Sequence, residues 1–205
     1  KSFMSEPNSL PTLPAPKTKR GLRTRERILD AAEMEIGGRG FAEASISTIT
    51  AQAKVGQGTF YLYFRTKEDV MRELVLRMGR RLRRPLTLSI ADAADRLEAE
   101  RRGIRAFLEF VRANPNLYRV VAEAQFVDPD VYRRYYEDFA KSYCSALRVA
   151  GRRGEISKGD AEVRAWALMG LSDMIGMRYA LWDGKAKLDQ VSDAAFALIA
   201  KGLEP

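Results

Sequence analysis

From Thr24 onward, apolar side chains recur at three- and four-residue intervals, and no segment keeps the strict alternation of a half-buried strand. Ile28, Leu29, Ala32 and Ile36 mark one face of a helix that Thr24 is placed to cap and that Gly37, Gly38 and Gly40 stop. Ser45 starts a second, short helix carrying Ile46, Ile49 and Ala53. A tight turn at Lys54 to Gly56 leads into "QGTFYLYF", a third helix. Thr66 caps a fourth, with Glu68 and Asp69 in its first turn, where carboxylates meet the positive end of the helix dipole. The spacing then predicts helices over 67–86, broken near Pro85, over 88–113, ended by "ANPN", and over 115–126. Asp128-Pro129 opens another that runs to about Arg152, and 159–182 and 188–203 complete the set. The expected fold class is all-α.

The first twenty residues depart from this pattern. Pro7, Pro11, Pro14 and Pro16 among Ser, Asn and Thr leave little to bury, so a disordered arm is expected there. It ends in a basic run: Lys17, Lys19, Arg20, Arg23, Arg25 and Arg27. That run belongs to a wider asymmetry. The formal net charge is +8; residues 1 to 88 hold 17 Lys and Arg against 9 Asp and Glu, and the remainder holds 18 of each. Such a split is the electrostatic footprint of a polyanion-binding module joined to a neutral one.

Composition removes several chemistries. The 205 residues are 46% hydrophobic and include no histidine. This excludes Ser-His-Asp and Cys-His catalysis and any histidine-ligated metal. There is no Gly-rich phosphate loop. No apolar run approaches the ~18 residues of a membrane span, and the first twenty residues lack the apolar centre of a secretory signal. The single Cys144 cannot close an intrachain disulfide, in keeping with a reducing compartment. The expectation is a cytoplasmic protein without membrane association, with no metal and no cofactor, and not an enzyme.

The chemistry that remains is concentrated in "VGQGTFYLYFRTKE", residues 55 to 68. The second helix, the turn and the third helix read as a helix-turn-helix, whose second helix enters the major groove N-terminus first. Gln57, Gly58 and Thr59 lead. Gln makes a bidentate pair with adenine, and a Thr methyl meets the thymine methyl. Gly58 lets the backbone come close. Phe60 and Phe64, four apart, turn into the core. Tyr61 and Tyr63 keep hydroxyls for phosphate, a contact that positions without specifying sequence. Lys67, at the next helix start, is placed to grip a phosphate together with the free N–H groups of that turn.

Residues 24 to 72 resemble the DNA-binding domain of the TetR/AcrR family of bacterial transcriptional repressors, through "ILDAAEMEI", "GRGF", "SISTIT" and above all "GTFYLYFRTKEDV". The resemblance implies an all-helical homodimer. An N-terminal three-helix helix-turn-helix domain binds DNA, and a C-terminal helical domain binds a ligand and dimerises. The chain then divides into an arm (1–20), the DNA-binding domain (21–66), a connecting helix (67–86) and the effector-binding and dimerisation domain (87–205). The resemblance makes Gln57, Gly58 and Thr59 readers of a double-stranded operator and Tyr61, Tyr63 and Lys67 phosphate contacts. It adds Ser47 and Thr48 at the start of the second helix. The chain departs from the family pattern at Thr50, Lys54 and Gly56, where alanine, glycine and serine are usual. Positive φ is unfavourable for Lys54, and Gly56 removes a capping side chain. Arg20, Arg23 and Arg25 stand where some helix-turn-helix proteins send an arm into the minor groove.

Beyond residue 88 the resemblance extends only to helix count and length. The aromatic series Phe107, Phe110, Tyr118, Phe126, Tyr132, Tyr135, Tyr136, Phe139 and Tyr143 fits either ordinary helical core or a pocket for a mostly apolar ligand with a few polar atoms. The expected effector-binding residues are Phe107, Phe110, Tyr118, Phe126, Tyr136, Phe139, Tyr143 and Met174. The run "WALMGLSDMIGMRYALW", residues 166 to 182, is apolar almost all round, so it is buried on several sides. With the last helix it is expected to build a four-helix interface across a twofold axis, through Trp166, Gly170, Gly176, Val191, Ala195, Phe196 and Ile199. Asp173 and Arg178 lie in that run, and each needs a partner, as an interface ion pair or as a polar anchor in the pocket. The resulting reading is a repressor released by a small, mostly apolar effector. A non-specific nucleic-acid-binding protein and a helical enzyme using carboxylates such as Glu109 and Glu123 are the alternatives.

Overall fold

The computed structural model describes residues 16–203, and among them lie nine α-helices, one π-helical segment and no strand. α1 spans Lys19–Arg39, α2 Ile46–Gln52, α3 Gln57–Tyr61 and α4 Lys67–Ile90. α5 spans Arg96–Ala113, α6 Pro115–Val127 and α7 Pro129–Arg153. α8, Ala161–Ile175, is prolonged by the π-helical segment Gly176–Trp182, and α9 is Leu188–Leu203. Most of the expected arm, residues 1–15, lies outside the described residues.

Local chemistry accounts for most of the helix boundaries. α1 starts earlier than expected because Thr18, not Thr24, is its cap: the Thr18 hydroxyl accepts the Gly21 N–H at 3.0 Å. Thr24 lies inside the helix and its hydroxyl donates to the Arg20 carbonyl at 3.0 Å. The basic residues from Lys19 to Arg27 therefore ride on a helix and do not form an extended arm. Gly37 and Gly38 are helical too, and the helix ends only where Gly40 takes φ 91°. Capping boxes at Ser45/Thr48 and Thr66/Asp69 open α2 and α4.

α4 does not break at Pro85 but runs on to Ile90. A proline there removes the hydrogen bond to the Arg81 carbonyl and costs about 3 kcal/mol in a helix interior. Apolar anchors on both sides hold the helix through it, with Leu82 buried and Leu86 packed on the core. α5 in turn begins later than the periodicity suggests, where Asp95 accepts the Glu98 N–H at 2.8 Å.

One continuous core joins the two ends of the molecule. It runs from Ile28, Ile36, Ile49 and Phe60 in the first three helices, through Val70, Leu74 and Met78 on α4, to Leu108, Leu117 and Leu147. Two joints tie α1 to the rest. A Cβ on Gly37 would stand 2.6 Å from the Asn116 Cα, so α1 and α6 meet almost backbone to backbone. Arg77, buried on α4, meets Glu26, Asp30 and Glu33 on successive turns of α1 at 2.8, 2.5 and 3.4 Å. No helix among the described residues is long and apolar enough to cross a membrane.

Candidate nucleic-acid interface and ligand cavity

α2, its turn and α3 form a helix-turn-helix whose leading edge is open. Ser47, Gln57 and Gly58 are exposed, and Thr48 and Thr59 are half-buried. No heavy atom lies within 4 Å of where a Cβ on Gly56 or Gly58 would stand. The turn carries strain, since Lys54 adopts φ 53°. A clamp stabilises it: Arg27 on α1 donates to the carbonyl oxygens of Ala53 and Lys54, the second at 3.0 Å. Those groups lack helical partners at the end of α2. Thr50 is buried, and its hydroxyl is satisfied by the Ile46 carbonyl at 2.8 Å, so the departure from alanine leaves no orphaned polar group. Gly56 leaves α3 without a side-chain cap.

The aromatic residues divide as their spacing predicts. Phe60 and Phe64 are buried, while Tyr61 is exposed beside Leu62. Tyr63 is half-buried, with its hydroxyl near Gly21 of α1. Lys67 differs from its expected role. Its ammonium donates to the carbonyls of Phe41 and Ala44 at 2.5 and 2.6 Å and stands 4.1 Å from the Phe41 ring centroid. Two of its three N–H donors thus close the loop between α1 and α2. Arg25 also faces inward, to Glu73 at 2.8 Å and over the Phe64 ring. Arg20 and Arg23 remain exposed.

The other half of the chain encloses a cavity of about 420 Å³ between α4, α5, α6, α7 and α8. Helical spacing builds each wall. α6 contributes Tyr118, Val121, Ala122 and Gln125, and α7 contributes Tyr132, Tyr135, Tyr136, Phe139 and Tyr143. Met78, Leu82, Leu86 and Ile90 come from α4, and Ile104 and Phe107 from α5. The lining is mainly apolar, the character of small-molecule sites of ~300–1,000 Å³.

Two carboxylates interrupt it. Glu100 accepts from Arg96 Nε at 2.7 Å and from the Tyr143 hydroxyl. Asp173 accepts from the Tyr118 hydroxyl at 2.8 Å and from the Tyr136 hydroxyl at 3.3 Å. Burial pushes the Asp173 carboxyl above its ordinary range, against the lowering effect of the two phenols. Burial and the neighbouring Asp173 push the Tyr118 and Tyr136 hydroxyls up in turn, so both stay protonated donors.

Five expected effector residues, Phe107, Tyr118, Tyr136, Phe139 and Tyr143, meet in this wall, and three do not. Phe110 is buried in the core one turn beyond Phe107. Phe126 is 84% exposed, because the cavity stripe of α6 follows 118, 121, 122 and 125 and leaves position 126 on the outer side. Met174 is 60% exposed, one position round α8 from Asp173. It shares an outward face with Trp166 and Gly170, at intervals of four. Gly176, Ala195 and Ile199, expected at a subunit interface, are buried within the chain, Gly176 against the Phe107 ring. Val191 and Phe196 are half-buried. Arg178 is exposed and lies 3.9 Å from Asp183, so it anchors nothing in the cavity.

Glu109 pairs with Arg105 at 3.0 Å on the surface. Glu123 accepts the Phe41 N–H at 2.5 Å, so each carboxylate has a structural partner and neither lines the cavity. No group of Cys, Asp and Glu among the described residues is arranged to hold a metal ion. The clamp of Arg27 and the link of Glu123 escaped sequence reasoning. Their partners are backbone groups 26 and 82 positions away, and nothing local announces them.

Comparison with known proteins agrees with this geometry. The family model described as bacterial regulatory proteins, tetR family, matches residues 28–74. The HTH-type transcriptional regulator YdgC of Bacillus subtilis (strain 168) is 26% identical over 167 residues, covering 79% of this chain and 84% of the relative. The fatty acid metabolism regulator protein of the same organism is 26% identical over 184 residues, covering 86% and 94%. Among solved structures, the transcriptional regulator FadR from Bacillus subtilis in complex with stearoyl-CoA has a TM-score of 0.77 at 24% identity, covering 86% of this chain and 98% of that one.

Proposed function

We propose that the chain is a member of the tetR family of bacterial regulatory proteins, which its match over residues 28–74 supports, and that it is a transcriptional repressor that occupies a double-stranded operator until a small, mostly apolar effector fills the cavity. Gln57, Gly58 and Thr59 read the major groove, and Tyr61 contacts phosphate. Ser47, Thr48 and Tyr63 flank that edge. The dimer pairs the outward faces of α8, its π-helical extension and α9, where Val163, Trp166, Met174, Trp182 and Leu198 are exposed. Two recognition helices related by that axis meet half-sites about 34 Å apart.

The observation that carries this reading is the double duty of α6. One face lines the cavity. The other holds the DNA-binding helices, with Glu123 on the Phe41 N–H, Arg119 donating to the Gly37 carbonyl at 3.4 Å, and Asn116 against Gly37. Asp128, which caps α7, also takes Arg72 of α4 at 2.5 Å. An occupant that displaces α6 must therefore move the helix-turn-helix unit.

Magnitude narrows the effector. Driving a two-state equilibrium from 1:99 to 99:1 takes about 5.5 kcal/mol of differential binding. Each buried methylene contributes about 0.8 kcal/mol. A body of roughly seven methylenes that fits only the released conformer is enough. The apolar wall and the relative named a fatty acid metabolism regulator both support an acyl or alkyl body. The test is a fluorescence-anisotropy titration of the purified protein on the DNA upstream of its own gene, against scrambled DNA, at two salt concentrations. Binding ~10³-fold tighter to the native fragment, relieved by compounds with a medium-length alkyl body, is the expected result. Equal, salt-sensitive binding to both would mark a non-specific polyanion binder instead.

A further inference from the structure

The two carboxylates in the cavity wall are not equivalent. Glu100 is matched inside the wall: Arg96 supplies the opposite charge through two N–H groups, and the Tyr143 hydroxyl takes the other oxygen. The Arg96 guanidinium stacks on the Tyr143 ring at 5.1 Å. Nothing there awaits an occupant. Asp173 has only phenols. Tyr118 donates to one oxygen and Tyr136 to the other, and among the described residues no Lys or Arg pairs with it. A carboxylate offers about four acceptor sites, so roughly half remain open. Around it stand the rings of Tyr118, Tyr135 and Tyr136, the last stacked on Trp166 at 6.4 Å. Two phenol hydrogen bonds offset only part of the cost of holding a carboxylate with no opposite charge in an aromatic wall.

We propose that Asp173, held by Tyr118 and Tyr136, is the specificity-determining point of the cavity, and that the effector carries a hydrogen-bond donor, a hydroxyl or an ammonium, on its apolar body at that point. The inference rests on the effector reading above and narrows it. A plain saturated chain laid across Asp173 strips water from the carboxylate and returns nothing. A site built around such a polar group rejects the analogue that lacks the matching donor far more strongly than an apolar pocket rejects one methylene. The surrounding rings also tolerate a cation, whose charge is attracted to their faces.

Isothermal titration calorimetry on the full chain, without DNA, tests the assignment. The probes are octanol and octylamine, which present donors, methyl heptyl ether, which only accepts, and octanoate, which is anionic. The wild type is expected to bind octanol and octylamine at least ~10-fold more tightly than the ether or octanoate. Asp173→Leu is expected to abolish that preference. Asp173→Asn keeps the shape and adds an N–H donor, so it is expected to move the preference toward the ether, and it serves where the leucine variant does not fold. Tighter binding of octylamine than of octanol identifies an ionised carboxylate; equal binding identifies the donor alone, and both support the assignment. It is overturned if the ether or octanoate binds wild type as tightly as octanol, if no probe binds, or if the preference survives both substitutions. DNA release, measured separately, tells the two readings apart. Donor preference without release defeats the repressor reading alone; equally potent release by chains lacking a donor defeats only the role of Asp173.

Discussion

Gly58 sits in the second position of α3 with open space where a side chain would begin. The fold makes no use of that space, so any demand for glycine comes from outside the chain. Gly58→Ala is expected to leave stability unchanged or to raise it by up to ~1 kcal/mol, the usual helix-propensity gain. The same variant is expected to lose at least about tenfold in operator affinity, because on the proposed reading its methyl stands between the backbone and the groove. A thermal melt beside an anisotropy titration checks both halves, and wild-type affinity would remove Gly58 from the reading surface. Asp173 gives a second test through pH. Its carboxyl is raised in the folded protein by burial, so the folded state holds its proton at pH values where the unfolded chain has released it. Stability contributed by this group is therefore greatest at acid pH and falls as pH rises from the unfolded value through the raised one. Asp173→Asn cannot ionise. Its melting temperature relative to wild type is expected to rise between acid and neutral pH, and a flat difference across that range would contradict the assignment.

The helices show where sequence reasoning reaches and where it stops. The caps at Ser45 and Thr66 and the inward rings of Phe60 and Phe64 were legible because each is settled within four or five residues of itself, and the strained Lys54 was legible from the resemblance, which puts glycine there. The cavity was legible only in part. Periodicity put Tyr136, Phe139 and Tyr143 on related faces of α7, but it does not say which face of α6 or α8 meets them, so Phe126 and Met174 were placed a step too far round. Lys67 was read from its position at a helix start, yet its partners are carbonyls 23 and 26 residues away. Pro85 was read as a break, and packing overrode it. That override has a measurable cost. Pro85→Ala restores an N–H able to reach the Arg81 carbonyl and is expected to stabilise α4 by about 1–3 kcal/mol. Urea denaturation of the variant checks this, and a loss of stability would mean that the packing around Pro85 depends on the ring itself.

At the scale of the whole molecule, two arrangements decide whether binding at one end is felt at the other. The first is the second copy that the proposed function calls for. Trp166 and Met174 project from one face of α8 while their neighbours Ala165 and Leu168 are buried. Trp166→Glu combined with Met174→Lys is expected to leave a folded monomer by sedimentation velocity and to reduce operator affinity by several orders of magnitude, since each half-site is then bound alone. A dimer that survives both changes would place the axis elsewhere. The second arrangement is the contact from Glu123 to Phe41, which belongs to neither site. Glu123→Ala leaves the cavity lining and the α3 tip unaltered. It is expected to bind effector and operator separately with near wild-type affinity, while the effector concentration needed for release rises several-fold. Unchanged release would mean that the signal passes through α4 alone.

The walls of the cavity come from five helices, whereas the tip proposed to read the groove comes from one turn of α3. Inheritance acts on these two parts at different speeds. One substitution at position 57 or 58 can give a duplicated copy of the gene a new operator without disturbing a packed neighbour. A new ligand requires concerted change on several helices that also hold the core together. Descendants of such a protein should diverge first in the genes they control and only later in the molecules they sense.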